Sequence, residues 1–188
     1  MNDADNNVAI GFTAGQAVTH SDDSVFIGAE AGKGITLGLG NIAIGKNAMG
    51  GVTTSDDVDY NVAVGHSALQ GTSATNQAGT VAIGFNALSS LTTGAGNTAV
   101  GNRSMQAYVD GSGQSTAVGF GSMQALVNGD QNTAIGYNAM NAGTHTSMNF
   151  NTVVGANAGD AFGSVAIEHC TFIGANSGNG PIAGGEKN

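Results

Sequence analysis

Tryptophan is absent from this 188-residue chain, proline and cysteine occur once each, and lysine and arginine together number four. Each scarcity removes a class of protein. A lone cysteine, Cys170, rules out a disulfide framework. Four basic residues cannot neutralise a run of phosphates, so no nucleic-acid partner is expected. No stretch approaches the roughly 20 apolar residues of a membrane span, so no membrane insertion is expected. The opening MNDADNNVAIG lacks the basic and apolar regions of a secretory signal. Charged residues make up only 9%, and the net charge of −9 reflects missing bases more than abundant acids. Disordered segments combine high net charge with both proline and glycine. Here 32 glycines accompany a single proline, which suits an ordered chain that turns often through positive φ yet keeps its backbone donors.

What is present is a repeat. Ten times a short apolar strand ends in glycine and is followed by a small residue: NVAIGFTA, SVFIGAEA, NIAIGKNA, NVAVGHSA, TVAIGFNA, NTAVGNRS, STAVGFGS, NTAIGYNA, NTVVGANA and CTFIGANS. The glycines are Gly11, Gly28, Gly45, Gly65, Gly84, Gly101, Gly119, Gly136, Gly155 and Gly174, spaced 17 to 20 residues apart. Self-similarity at a near-fixed period is the signature of a solenoid whose repeats bury their apolar faces by stacking. The expectation is one elongated all-β domain over residues 6–178, with an N-terminal extension (1–5) and a C-terminal tail (179–188). Ten coils at about 4.8 Å give a rod on the order of 45 Å long.

Residues two apart on a strand share a face. The position before each glycine is always Ile or Val. Two residues earlier stand Val or Ile in the first five repeats and Thr in the last five. These β-branched columns are expected to face the interior. The middle residue, usually alanine, is then expected to form a small apolar stripe outside. Ala63, Ala82, Ala99, Ala117 and Ala134 are accordingly the candidates for a threefold axis in a homotrimer, where small side chains permit close approach. After the glycine comes Ala or Ser, then Met49, Leu69, Leu88, Met105, Met123 or Met140, a spacing that fits a short strand or a helical turn equally. Gly15, Gly32, Gly159 and Gly178 replace this residue in the end repeats. The ten strand-ending glycines are expected to serve the fold through positive φ or close backbone approach.

Strands such as NVAIG, NIAIG and NTAIG followed by xNA(L/M) resemble the YadA-like head repeat of trimeric autotransporter adhesins, and more closely the related repeats of bacteriophage tail-fibre proteins. The resemblance spans nearly the whole chain. It implies a left-handed parallel β-roll of about ten coils of 17–20 residues that trimerises through its strands. The repeats are longer than those of the adhesin heads. Signal sequence, coiled-coil stalk and membrane-anchor barrel are all missing, which favours a virion fibre over a bacterial surface adhesin.

Catalytic chemistry is hard to assemble from these residues. Gly94-Ala-Gly96-Asn97-Thr98 is a repeat corner with no Gly-Lys-Ser/Thr following, so it is not a phosphate loop. His20, His66, His145 and His169 show no metal-ligand spacing and read as solvated turn residues, unless threefold symmetry gathers an axial one into a ring. His169 and Cys170 are adjacent on a strand and so point apart, which argues against a thiolate–imidazole pair. Asp56, Asp57 and Asp59 offer three oxygens but no EF-hand or nonapeptide calcium motif. Phe12, Phe85, Phe120 and Tyr137 follow strand-ending glycines and either pack between coils or offer sugar a stacking surface.

The expected protein is a non-enzymatic, trimeric rod without cofactor or metal, on a virion surface, contacting other virion proteins and a host glycan or protein. Recognition is assigned to the longest turns, near 51–60, 71–79, 143–150 and 160–170. Alternatives are capsid decoration, a structural spacer, or the head of an adhesin on a bacterial surface. An ice-binding solenoid is disfavoured because Phe26, Val153 and Phe172 would interrupt the outward alanine stripe and the repeat lengths are unequal.

Overall fold

The computed structural model describes residues 4–52, 58–71, 77–109, 113–141, 148–160 and 167–179. Within them lie ten three-residue strands: β1 (Val8–Ile10), β2 (Val25–Ile27), β3 (Ile42–Ile44), β4 (Val62–Val64), β5 (Val81–Ile83), β6 (Thr98–Val100), β7 (Thr116–Val118), β8 (Thr133–Ile135), β9 (Thr152–Val154) and β10 (Thr171–Ile173). They form one parallel sheet in chain order. One strand per coil, stacked on the next, is a β-solenoid. The described residues contain no helix, and so none that could cross a membrane.

Every pairing places equivalent repeat positions opposite one another. Val62, Ala63 and Val64 face Val81, Ala82 and Ile83, and Thr98, Ala99 and Val100 face Thr116, Ala117 and Val118. The unequal repeat lengths therefore never shift the sheet, and the extra residues are taken up elsewhere in the coil. The four long turns fall largely outside the described residues.

Each strand ends at its glycine with φ between 120° and 139°. The expectation for the ten glycines holds, and nine of them also meet it by close approach. A Cβ built on Gly101 would lie 2.6 Å from the carbonyl carbon of Gly119, so neither the dihedral nor the space admits a side chain. The segment after the glycine is neither strand nor helix. Its second and fourth residues take left-handed conformations, as at Asn86 (54°) and Leu88 (50°). Alternating right- and left-handed residues make a tight corner that carries Leu88, Met105 and their equivalents into the core.

The facing of the strands reverses the sequence-based expectation. Ala63, Ala82, Ala99, Ala117 and Ala134 are fully buried inside the coil, while the flanking Val, Ile and Thr point outward. Volume is the reason. The fully buried Met49, Leu69, Leu88, Met105, Met123, Met140, Leu91, Tyr108 and Leu126 already fill the coil from its other walls. Only a methyl group fits behind the strand, since an interior packs to crystal-like density. The alanines thus face the chain's own core and not a threefold axis.

Beside them runs a buried polar ladder. Asn7 Oδ1 accepts the amide of Ser24 (2.9 Å), Ser24 Oγ that of Asn41 (3.1 Å), Asn41 Oδ1 that of Asn61 (3.0 Å), and Asn61 Oδ1 that of Thr80 (2.8 Å). It resumes from Asn97 through Ser115, Asn132 and Asn151 to the amide of Cys170. Buried amides must find acceptors, which explains why this column is Asn, Ser or Thr.

Candidate functional site

The outward face of the sheet carries a stripe of Val, Ile and Thr through every coil. Alternation along each strand sends four residues per coil to this side. Their inner two columns are the strand ends, Val8 to Thr171 and Ile10 to Ile173. The outer two flank them: Asn6, Asp23, Tyr60, Phe150 and His169 on one edge, and Phe12, Lys46, His66, Phe85, Phe120 and Tyr137 on the other. The inner columns contain no charged residue over all ten coils. Of the ten pre-glycine residues, six are exposed, from 36% at Val118 to 71% at Ile173, and Ile27, Val64, Val100 and Val154 are half-buried. At about 4.8 Å per coil and 3.3 Å per residue, the face measures on the order of 800 Å². The two uncharged inner columns take up about half of it, the size of the apolar patch of a typical monomer, about 300–600 Å².

The two halves of the face differ chemically. From β1 to β5 the first inner column is wholly aliphatic, whereas from β6 to β10 it is Thr98, Thr116, Thr133, Thr152 and Thr171. Phe26, Val153 and Phe172 sit at the inward position and do not interrupt this face. The sequence-based objection they raised against a regular, flat surface therefore fails.

Aromatic side chains line the edges and stack from coil to coil while staying exposed. Phe120 and Tyr137 lie 5.6 Å apart between ring centres, His66 and Phe85 5.5 Å, and Phe150 and His169 4.8 Å with nearly parallel planes. Phe85, Phe120 and Tyr137 thus pack from coil to coil, as one of the two readings expected, while their rings stay part-exposed at the edge. The Phe150–His169 pair was not legible because its two members belong to different repeats, 19 residues apart.

The remaining candidates are scattered. His20 is exposed beside Thr19, and His66 and His169 lie on opposite edges. Asp56, Asp57 and His145 lie outside the described residues. Among those described, no three His, Cys, Asp or Glu side chains group as metal ligands. Cys170 is buried, and its Sγ donates to the Glu168 carbonyl at 3.3 Å. Away from the sheet, a shallow depression of about 380 Å³ is lined by Gln106, Ala107, Gln124, Ala125 and Asn141, with Gln124 Nε2 donating to Gln106 Oε1 (3.2 Å). It holds no nucleophile and no charge.

No protein-family model, no curated protein and no solved structure matches this chain.

Proposed function

We propose that this chain is a non-enzymatic segment of a virion fibre, a left-handed β-roll that closes on itself as a homotrimer and holds recognition surfaces out from the particle toward a host. The observation that carries this reading is the uncharged double column along the whole sheet, Val or Ile throughout in one file and turning from aliphatic to threonine halfway in the other. A continuous stripe of Val and Ile left half-buried to exposed is costly for a free monomer. Roughly 800 Å² per partner is what a stable interface buries. The trimer axis then runs along Val64, Ile83, Val100, Val118 and Ile135, the columns opposite to the alanines. The YadA-like and tail-fibre resemblance of the repeats supports the same assembly and a particle as its setting. Capsid decoration, a structural spacer and a bacterial adhesin head use the same rod and differ only in what it is attached to.

A second reading rests on the threonine half of the face. Hydroxyls and methyls repeating at one-coil spacing on a flat, in-register sheet suit binding to an ordered surface such as ice. One measurement separates the two. Light scattering of the purified chain at micromolar concentration should give masses in multiples of three chains, a threefold step that Ile83→Glu removes. A folded wild-type monomer that adsorbs to ice would overturn the trimer in favour of the second reading. Given a trimer, competition of the purified protein against intact particles for host cells tests attachment. Binding failure together with regular placement over a capsid would favour decoration.

A further inference from the structure

We infer that the last coil is a docking surface for the first coil of a second copy of this chain, so that the rods join head to tail. The inference does not depend on the lateral assembly proposed above, because it concerns the ends of the roll and not its sheet face.

Three backbone hydrogen bonds recur at each of the nine junctions between coils. The first residue of a strand donates to the carbonyl preceding the next strand, as Thr152 N to Cys170 O (2.8 Å). The strand-ending glycine donates back to the residue before the previous glycine, as Gly174 N to Val154 O (2.8 Å). The residue two beyond the glycine donates back as Asn176 N does to Ala156 O (2.9 Å). At the end of the roll this pattern leaves the Thr171 amide and the carbonyls of Ile173 and Ala175 facing outward. At the start it leaves the Asn7 carbonyl and the amides of Gly11 and Thr13. One more step of the same repeat pairs Thr171 N with Asn7 O, Gly11 N with Ile173 O, and Thr13 N with Ala175 O. Donors and acceptors match without remainder.

Two side-chain observations point to the same occupant. Cβ atoms built on the nine glycines from Gly11 to Gly155 would each sit 2.6–2.7 Å from the carbonyl carbon of the following coil, but one on Gly174 meets nothing within 4 Å. The seat for a further glycine carbonyl is formed and open among the described residues. Ser104 Oγ and Ser122 Oγ donate to the central carbonyl of the next strand, Ala117 O (3.1 Å) and Ala134 O (3.0 Å). Ser177 stands at the equivalent position in the last coil, and its buried hydroxyl has no partner. The missing acceptor corresponds to Ala9 O of a following copy. A parallel strand edge with matched pockets is the geometry of strand addition, and a head-to-tail contact between identical chains propagates without closing.

The lone cysteine provides the test. Cys170 and Asn7 share one column, so at a head-to-tail junction their Cα atoms lie one coil apart, about 4.8 Å, within disulfide reach. Within one chain they are at opposite ends of the rod. The full-length Asn7→Cys variant, mildly oxidised and run without reductant, should give a ladder of covalent multimers that Cys170→Ser reduces to dimers at most. Ile173→Pro removes an amide that points away from β9 and blocks the edge; it should weaken the ladder at least tenfold while leaving circular dichroism and melting unchanged. Ser177→Ala should weaken association about fivefold and raise the melting point of the dissociated chain, since a buried unpaired hydroxyl is removed. Ile83→Glu should leave the ladder intact, which separates end-to-end from lateral contact. An Asn7→Cys ladder limited to monomer and dimer, or one indifferent to Ile173→Pro and Ser177→Ala, overturns the inference.

Discussion

The ring of Phe26 occupies the space that a side chain at position 32 would need: a Cβ built on Gly32 would overlap the ring, with Cγ 3.0 Å away. The same exchange recurs at the far end, where a Cβ on Gly178 would lie 2.6 Å from Cδ1 of Phe172. In the middle coils alanine stands on the strand and leucine or methionine at the corner. In these end coils phenylalanine stands on the strand and glycine at the corner. The two positions share one volume and divide it in two ways.

The first prediction is a double-mutant cycle on that pair. Gly32→Leu alone should destabilise by about 3 kcal/mol through overpacking, and Phe26→Ala alone by about 3–5 kcal/mol through a cavity. Leucine is tolerated at the corner dihedral, as Leu88 shows at φ 50°. The combined variant should therefore recover most of the loss. Additive losses in urea unfolding would reject the shared volume.

Charge reversal in exposure separates the two columns of a strand. Ala99→Glu places a carboxylate in the chain's own core and should abolish cooperative folding, a cost above about 4 kcal/mol. Ile83→Glu, one strand earlier on the outward face, should leave the monomer folded and remove lateral association. Thermal melts followed by circular dichroism, paired with sedimentation, read both effects.

The polar ladder has a weak rung. Thr80 Oγ1 is buried without a partner at the point where Asn61 and Asn97 flank it. Thr80→Asn restores the residue type found at most other rungs and should stabilise by about 1 kcal/mol. Asn132→Ala removes the acceptor for Asn151 N and should destabilise by about 1–3 kcal/mol. Chemical denaturation midpoints at constant m-value test the pair.

Burial raises the Asp160 carboxyl above its ordinary value. A carboxyl that binds its proton more tightly when folded gains stability as pH falls through the folded pKa. Asp160→Asn should therefore raise the melting point modestly at neutral pH. The advantage should shrink as the pH drops through the raised folded pKa toward 3.8, the ordinary value. A difference that grows on acidification would reverse the sign.

The repeat, its period and the role of its glycines were legible because a stacked coil imposes the same backbone demand on every copy, and Gly101 or Gly136 can answer it in only one way. The polar ladder was half legible: Asn, Ser or Thr stands in every other repeat at the position that Cys170 fills in the last, but the hydrogen bonds of that column were not. The facing of the strands was misjudged because alternation alone has no sign. Val-Ala-Val reads equally as bulky-inside or small-inside. One signal held the answer, the coincidence of Phe26 with Gly32 and Phe172 with Gly178, since only residues that share an interior exchange volume.

The sequence by itself determined that this chain is a stack of parallel strands with turns at fixed places, because strand, glycine and corner are local demands repeated ten times. Tertiary structure alone decided which side of each strand is core. That choice depends on how much room the Leu, Met and Tyr side chains from the opposite walls leave behind the sheet, and it is what puts valine, isoleucine and threonine, not alanine, on the surface offered to a partner.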